Sequence, residues 1–371
     1  MLIIAKTFEG LEPVLEQEIN LLGGKNIEVG KRAISFEGDK KLMYKANLYL
    51  RTAIKVLVNI NHFTAKNEDQ LYQKAKEFNW FDYLSLSQSF SIETNVSSDI
   101  FTHSKYVAYK IKDAIADKFK EKKGRRPNVN TYNPDVKFNV RIFQDQVDIS
   151  LDSSGESLHL RGYKVEGLQA PLSEVLAAGI LLNTDFKEYK DFLDPMCGSG
   201  TLLTEALMIN TNTAPNLYRE SFGFMSWNDY EPTMWSTLKT QAKTLIQEPT
   251  IVFKAMDIER KAVFATKKNL SMLKYGDHVA VESGDFFKYS KTDKHSFLIM
   301  NPPYDLRIET DEIINFYKEI GHKLKKGFVP STAWIFSANI EALKHLGLKH
   351  AARFKLMNAK LPAELRKYEI Y

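Results

Sequence analysis

Four short segments in the second half of the chain place acids, small residues and an amide where chemistry could be done. The first is Phe192-Leu193-Asp194-Pro195-Met196-Cys197-Gly198-Ser199-Gly200-Thr201. An apolar run ends in a carboxylate, passes through a small-residue loop and enters a helical pattern. Glycines in such a loop let a ligand approach the backbone closely. A dinucleotide pyrophosphate asks for G-x-G-x-x-G and a helix N-terminus free of acids. Here Leu203 occupies the third small position, and Asp194 would repel a pyrophosphate. The same acid suits the ammonium of a methionine moiety, so the loop favours S-adenosylmethionine (SAM) over NAD.

The next two segments extend that reading. Ala255-Met256-Asp257-Ile258 puts an acid at the tip of a second strand, where it could accept both hydroxyls of a ribose. Ser283-Gly284-Asp285-Phe286 ends a third. Asp285 could accept an adenine amino group and Phe286 could pack on the ring. One acid at a strand end is commonly only a cap; three at successive tips in this order point to one nucleoside ligand.

The fourth segment, Asn301-Pro302-Pro303-Tyr304, follows an apolar run. Consecutive prolines fix φ and remove N–H donors. The Asn301 side chain and the Pro302 carbonyl can then accept both hydrogens of a planar –NH2 group, and Tyr304 offers an aromatic face to a flat ring. An exocyclic amine on a base is a weak nucleophile because its lone pair is delocalised. Hydrogen bonds that draw it toward tetrahedral geometry restore reactivity, and in-line attack on a sulfonium methyl then needs alignment more than a strong base. Cys197, inside the loop, is a poor candidate for a covalent nucleophile of the pyrimidine-C5 type.

Elements of two kinds must position these residues. From about residue 165 strands and helices alternate. Strands are expected at 191–194, 251–257, 279–285, 296–301 and 334–338, and helices at 172–183, 201–210, 260–274, 311–325 and 340–346. This is the pattern of a doubly wound parallel sheet. Segments 352–359 and 365–371 read as an antiparallel hairpin on its edge. The first 164 residues mix helices and antiparallel strands as two α+β units, roughly 1–60 and 61–164, which leaves 165–371 as the third. A helix over 105–123 carries Val107, Ile111, Ala114, Ile115 and Phe119 on one face. Trp80, Phe81 and Tyr83 read as packing residues.

Composition sets the outer limits. The chain has 371 residues, 44% hydrophobic and 26% charged, too long for one ordinary core. One cysteine excludes an intrachain disulfide and a Cys-based zinc cage, and no metal site is expected. No apolar run has the length of a membrane span and the start lacks a signal-peptide pattern, so a soluble cytoplasmic protein is expected. The net charge is +5, of which +4 lies in residues 1–164. Residues 105–126 carry nine Lys and Arg against three Asp and Glu. Lys122, Lys123, Arg125 and Arg126 are therefore the candidate contacts to a polyanion.

Asp194–Ala206 together with Met300–Tyr304 resembles the class I SAM-dependent amino-methyltransferases. Arg161-Gly162-Tyr163-Lys164 and Ala170-Pro171-Leu172-Ser173-Glu174-Val175-Leu176-Ala177 resemble the lead into that domain in THUMP-containing RNA methyltransferases. The likeness spans essentially the whole chain, within the bacterial 23S ribosomal RNA guanine-N2 methyltransferase family in its single-methyltransferase form. It implies a Rossmann-like methyltransferase domain, with a mostly parallel sheet and an antiparallel edge hairpin, preceded by ferredoxin-like and THUMP domains. It implies SAM as cofactor, held by Asp194, Pro195, Cys197, Gly198, Ser199, Gly200 and Thr201, by Asp257 and Ile258, and by Asp285 and Phe286. Asn301, Pro302, Pro303 and Tyr304 would hold a base flipped out of its stack. The partner would be RNA, as 23S rRNA or a large-subunit assembly intermediate. Double enzymes of the family append a second methyltransferase; with Tyr371 last, no second cofactor site is expected.

Two questions stay open at this level. Residues 218–235 carry Phe222, Phe224, Trp227, Tyr230 and Trp235, and read either as a lid near the base pocket or as an aromatic-rich packing segment. The Asn-Pro-Pro-Tyr tetrapeptide serves several planar amines, so a tRNA guanine or an adenine N6 is an alternative target. A non-catalytic RNA-binding assembly factor is an alternative of another class.

Overall fold

The computed structural model describes residues 1–166, 172–289, 296–303 and 310–371. Two β-sheets organise it. The first begins with β1 (Leu2–Lys6), α1 (Glu12–Leu22), β2 (Lys25–Gly30), β3 (Ala33–Glu37), α2 (Lys40–Tyr49) and β4 (Lys55–Thr64). Helix α1 starts with a proline in its first turn. It stops at Gly23, whose left-handed φ of 90° lets its own N–H close on the Asn20 carbonyl and the Gly24 N–H on the Ile19 carbonyl. The chain continues through α3 (Glu68–Glu77), β5 (Ser89–Ser97), α4 (Ser104–Lys123), β6 (Asn128–Val129), β7 (Val136–Phe143) and β8 (Gln146–Asp152). The expected stripe of α4 is buried, from Val107 to Phe119. Trp80 is fully buried and donates to the Ala75 carbonyl at 2.7 Å, in keeping with a packing role.

These strands form one eight-stranded sheet in the order β2-β3-β1-β4-β8-β7-β5-β6. Strand β4 joins its two halves, pairing with β1 on one side and β8 on the other. The expected division near residue 60 falls inside this strand. The apolar run Val56-Leu57-Val58 gives way there to Asn59-Ile60-Asn61-His62, and the β4–β8 register shifts between Asn59 and Asn61. The change in composition marks a bulge, across which the strand continues.

The second half comprises α5 (Glu174–Leu182), β9 (Asp191–Asp194), α6 (Thr201–Asn210), α7 (Pro232–Thr244), β10 (Val252–Asp257), α8 (Arg260–Leu270), β11 (Ala280–Ser283), β12 (Ser296–Met300), α9 (Thr310–Gly327), β13 (Ser331–Ser337), α10 (Ile340–Lys344), β14 (Ala352–Asn358) and β15 (Leu361–Ile370). The sheet order is β11-β10-β9-β12-β13-β15-β14. β9 to β13 run parallel, and β15 is antiparallel to both β13 and β14, which gives the expected edge hairpin. Strand residues alternate between faces. Phe297 and Ile299 meet α5, α6 and α8 on one side, and Leu298 and Met300 meet α9 and α10 on the other. Helix α8 ends at Leu270, short of the expected 274, where Gly276 turns so close that a Cβ there would lie 1.8 Å from the Leu270 carbonyl.

The halves are locked together. Leu11, fully buried, packs on Gly179 of α5, where a Cβ would sit 2.5 Å from a Leu11 methyl. Arg161 is buried and paired with Glu205 of α6 at 3.4 Å, and it also donates to the Leu158 and Arg51 carbonyls. Arg219 donates to five carbonyls, those of Ser154, Glu156, Ser157, Leu160 and Ser221, at 2.8–3.3 Å. The segment 218–235 resolves one of the open questions. Phe222, Phe224 and Trp235 are buried, and the ring of Tyr44 from α2 lies 4.5 Å from Phe224 and 6.0 Å from Trp235. It packs the second half onto the first sheet's helices and is no lid. Ala170, Pro171 and Tyr304 lie outside the described residues.

Candidate functional site

Strands β9, β10 and β12 run parallel and end at one edge of the sheet, with β11 beside them. The order reverses between β9 and β12, and such a switch point leaves a crevice beyond the strand ends. Asp194 and Asp257 close β9 and β10, Asp285 lies two residues past β11, and Asn301 follows β12. The four acidic and amide positions read from the sequence therefore meet at one edge.

The loop between β9 and α6 is held from two sides. Gly198 donates its N–H to Asp257 Oδ2 at 2.8 Å, and Asp257 Oδ1 accepts from the Glu259 N–H at 3.0 Å. The Asp257 carbonyl accepts from Gly284 N–H at 3.0 Å, so this one residue ties three strand ends together. From α8, Thr266 donates to the Gly198 carbonyl at 2.9 Å, and Asn269 donates to the carbonyls of Ser199 and Glu166. Gly198 and Gly200 have φ of 54° and 77°, a region that favours glycine. A Cβ on Gly200 would lie 2.6 Å from a Thr266 methyl, whereas one on Gly198 would meet nothing within 4 Å. Gly200 is required by helix packing, and Gly198 leaves open space beside the loop. Pro195, Ser199 and Thr201 are buried, and Ile258 is 70% exposed.

Thr266 and Asn269 escaped the sequence reading. Both are buried on the apolar side of α8, and a polar residue at a core-facing helix position was the signal that could have found them.

Asp194 is 1% exposed and accepts the Met196 N–H at 3.3 Å. Burial pushes its carboxyl up to about 8; the Met196 hydrogen bond opposes the shift and the charge of Asp257 adds to it. Such a buried acid is suited to a cationic partner. Burial likewise pushes the Cys197 thiol well above its usual range, with the charge of Asp194 adding, so it is held protonated and unreactive.

Asp285 Oδ1 accepts the Phe287 N–H at 2.9 Å, and the Lys288 ammonium lies 3.7 Å from Oδ2. Phe286 corrects an expectation. Its ring is 3% exposed and stacks on Phe328 at 5.5 Å, within the core that also holds Leu193 and Leu298. The ring anchors the loop from below and leaves no face for a ligand. Asn301 Oδ1 is buried and, among the described residues, has no hydrogen-bond partner. Pro302 beside it is buried and Pro303 exposed.

The candidate polyanion contacts lie elsewhere, at the C-terminal end of α4. Lys122 and Arg125 are exposed. Lys123 sits over the Phe81 ring at 5.5 Å, and Arg126 is paired with Asp117 at 2.8 Å. The structure brings these four together but leaves two of them engaged within the protein.

Residues 161–367 match the family model of the RMKL-like methyltransferase domain, residues 65–152 the THUMP domain and residues 2–57 the RlmL ferredoxin-like domain. The chain belongs to the RMKL-like methyltransferase family. It is 33% identical to the ribosomal RNA large subunit methyltransferase K/L of Syntrophotalea carbinolica, across 98% of this chain and 52% of that protein. It thus spans about half the length of that relative. It is 34% identical to a Synechocystis protein provisionally named an RNA methyltransferase, across 99% of this chain and 96% of the other. Among solved structures, a protein provisionally titled a methyltransferase and complexed with SAH superposes with a TM-score of 0.89 at 25% identity, covering 100% of this chain and 98% of its own. TrmN from Thermus thermophilus has a TM-score of 0.72 at 18% identity, across 100% of this chain and 99% of that one, a likeness of fold.

Proposed function

We propose that this methyltransferase acts on RNA and methylates the exocyclic N2 amine of a guanine, in 23S ribosomal RNA or a large-subunit assembly intermediate. The observation that carries the choice of an amine is Asn301 Oδ1. Among the described residues this buried amide oxygen has no partner, which costs about 1–3 kcal/mol that a donor delivered by substrate would recover. Neighbouring Pro302 has no N–H to compete with that donor for the oxygen. The protonated, buried Cys197 argues against covalent attack on a pyrimidine.

The site fits SAM. Asp194 is a buried acid suited to the methionine ammonium, and the open side of Gly198 leaves room beside the loop. Asp194, Pro195, Cys197, Gly198, Ser199, Gly200 and Thr201 would hold the methionine and ribose side, Asp257 and Ile258 the ribose, and Asp285 the adenine edge, with Phe286 reduced to support. When bound, SAM supplies an electrophilic methyl group and leaves as SAH. Asn301 and the Pro302 carbonyl accept the amine hydrogens, turning the nitrogen lone pair outward. No side chain need remove a proton first, because the amine proton becomes acidic only after transfer and can leave to water. Tyr304 would stack on the base. The units 1–60, 61–164 and 165–371 are the proposed division of labour, with Lys122, Lys123, Arg125 and Arg126 on the RNA side.

The test is labelled-methyl transfer from SAM to total RNA of a strain lacking the gene, with the product sized and digested to nucleosides. Label in large-subunit RNA as N2-methylguanosine is expected. N6-methyladenosine would overturn the base assignment, and label confined to tRNA would overturn the substrate. No label with SAM bound would exclude naked RNA and point to the assembly intermediate, tried next as large-subunit particles of the same strain, or to an amide outside nucleic acid.

A further inference from the structure

We infer that the catalytic half carries a second RNA-phosphate surface, on the sheet face turned away from the ferredoxin-like unit. The inference rests on the RNA-directed reading above. Residues 318–355 hold eight Lys and Arg against two Asp and Glu. Helix α9 buries Ile313, Tyr317, Ile320 and Leu324. Lys318, His322 and Lys325 are exposed and spaced i, i+4 and i+7, one above another along the helix, with Lys326 beside them.

A second strip of chain is laid against that stripe. Gly321 approaches the loop after α10 so closely that a Cβ there would lie 1.8 Å from the Leu346 carbonyl. The Lys325 ammonium reaches within 3.3 Å of the Cβ position of Gly347 in the same loop. Lys349, exposed two residues further on, thereby joins the helix cations. Lys344 is paired with Glu341 at 2.6 Å, but Lys318, Lys325, Lys326 and Lys349 have no carboxylate partner among the described residues. The helix dipole accounts for cations in the last turn, which covers Lys325 and Lys326 but neither Lys318 nor Lys349.

The chemistry of the surface selects its partner. Among residues 310–355 the only large apolar side chain that is exposed, of those described, is Val329. A membrane would need apolar side chains to insert, and a protein interface an apolar or aromatic centre. Ammonium groups alone suit a regular array of phosphates, read without regard to sequence.

Its position says how much RNA is needed. Leu11 and Arg51 of the first unit contact α5 and α6, which cover the opposite face of the sheet from α9 and α10. Lys325 and Lys326 lie about 20 Å along α9 from its start. An RNA that engages both this stripe and the end of α4 must pass around the catalytic half. A folded RNA of many helices can do that, and a short hairpin cannot.

The full-length protein with Lys318, Lys325, Lys326 and Lys349 all changed to Ala tests this. Binding would be measured over a salt series with a large-subunit RNA domain transcript and with a hairpin of about 20 nucleotides. For the transcript the slope of log K against log salt should fall by about 3. The hairpin slope and SAM binding should not change, and four Lys→Arg changes should restore the slope. An unaltered slope with the transcript overturns the inference, as does an equal loss with the hairpin. Loss of binding to polyglutamate alone, with RNA binding intact, would assign the surface to an acidic protein and also overturn it. Failure of the unchanged protein to bind either RNA would instead sink the RNA-directed reading beneath it.

Discussion

Burial keeps the Asp194 carboxyl protonated up to about pH 8 in the free protein, whereas an unfolded Asp titrates near 3.9. Between those values the native chain holds a proton that the unfolded chain has lost, so its stability falls as pH rises through that window. Asp194→Asn should flatten this dependence and raise the stability of the free protein at pH 7 by at least about 1 kcal/mol, as read by denaturant titration. SAM binding runs the other way. Its ammonium favours the carboxylate, so affinity should weaken as pH drops below about 8, and calorimetry near pH 7 should show proton release. An Asn variant that keeps the same pH dependence would remove Asp194 from that role. Asn301 is argued to touch the amine and not the cofactor. Asn301→Ala should therefore lower turnover by about 10²-fold or more while the SAM dissociation constant moves less than threefold. Loss of SAM binding with normal turnover at saturation would reverse the assignment. At this scale the sequence was legible in position, since Asp194, Asp257 and Asn301 were read at strand ends and lie there. It misled at Phe286, because adjacency to Asp285 says nothing of the Phe328 ring that arrives from 42 positions later.

The loop between β9 and α6 owes its shape to a helix distant in sequence. Gly200→Ala adds a Cβ where φ is 77° and a Thr266 methyl stands 2.6 Å away. The variant should lose about 1–3 kcal/mol of stability. Adding Thr266→Ser removes that methyl and should recover part of the loss, since the backbone strain remains. Equal stability of the single and double variants, measured by urea unfolding with SAM binding alongside, would place the constraint elsewhere. The elements themselves were readable from periodicity. α6 was anticipated at 201–210 and found at Thr201–Asn210, and the edge hairpin was anticipated too. Ends were less legible where a long-range contact sets them. α8 stops at Leu270 because the Gly276 turn folds against it, and β13 starts at Ser331, where its antiparallel partner Ile370 begins the ladder. Neither contact leaves a periodic trace in the local sequence.

At the scale of the molecule, buried arginines hold the halves in one arrangement. Arg219 satisfies five carbonyls at once, and its guanidinium lies over the Phe222 ring at 5.0 Å. Arg219→Met keeps most of the volume but leaves buried acceptors unpaired. It should cost about 2–4 kcal/mol and separate the melting of the two halves in calorimetry, whereas a single unshifted transition would show the joint rests on apolar packing. Nothing in the local sequence around 219 announces this residue, because its partners lie 59–65 positions away except for Ser221. The three-part plan was nonetheless legible, since the rhythm of strands and helices changes near 165. The continuity of the first sheet was hidden by the polar residues around the bulge in β4.

That shared strand has a consequence for exchange of backbone amides with solvent. β4 pairs with β1 over Lys55–Val58 and with β8 over Leu57–Thr64, so the two pairings overlap at Leu57 and Val58, where the strand is flanked on both edges. The amides of Leu57 and Val58 should therefore be among the slowest of the first 152 residues to take up deuterium, and should report the cooperative opening of two nominal domains as a single event.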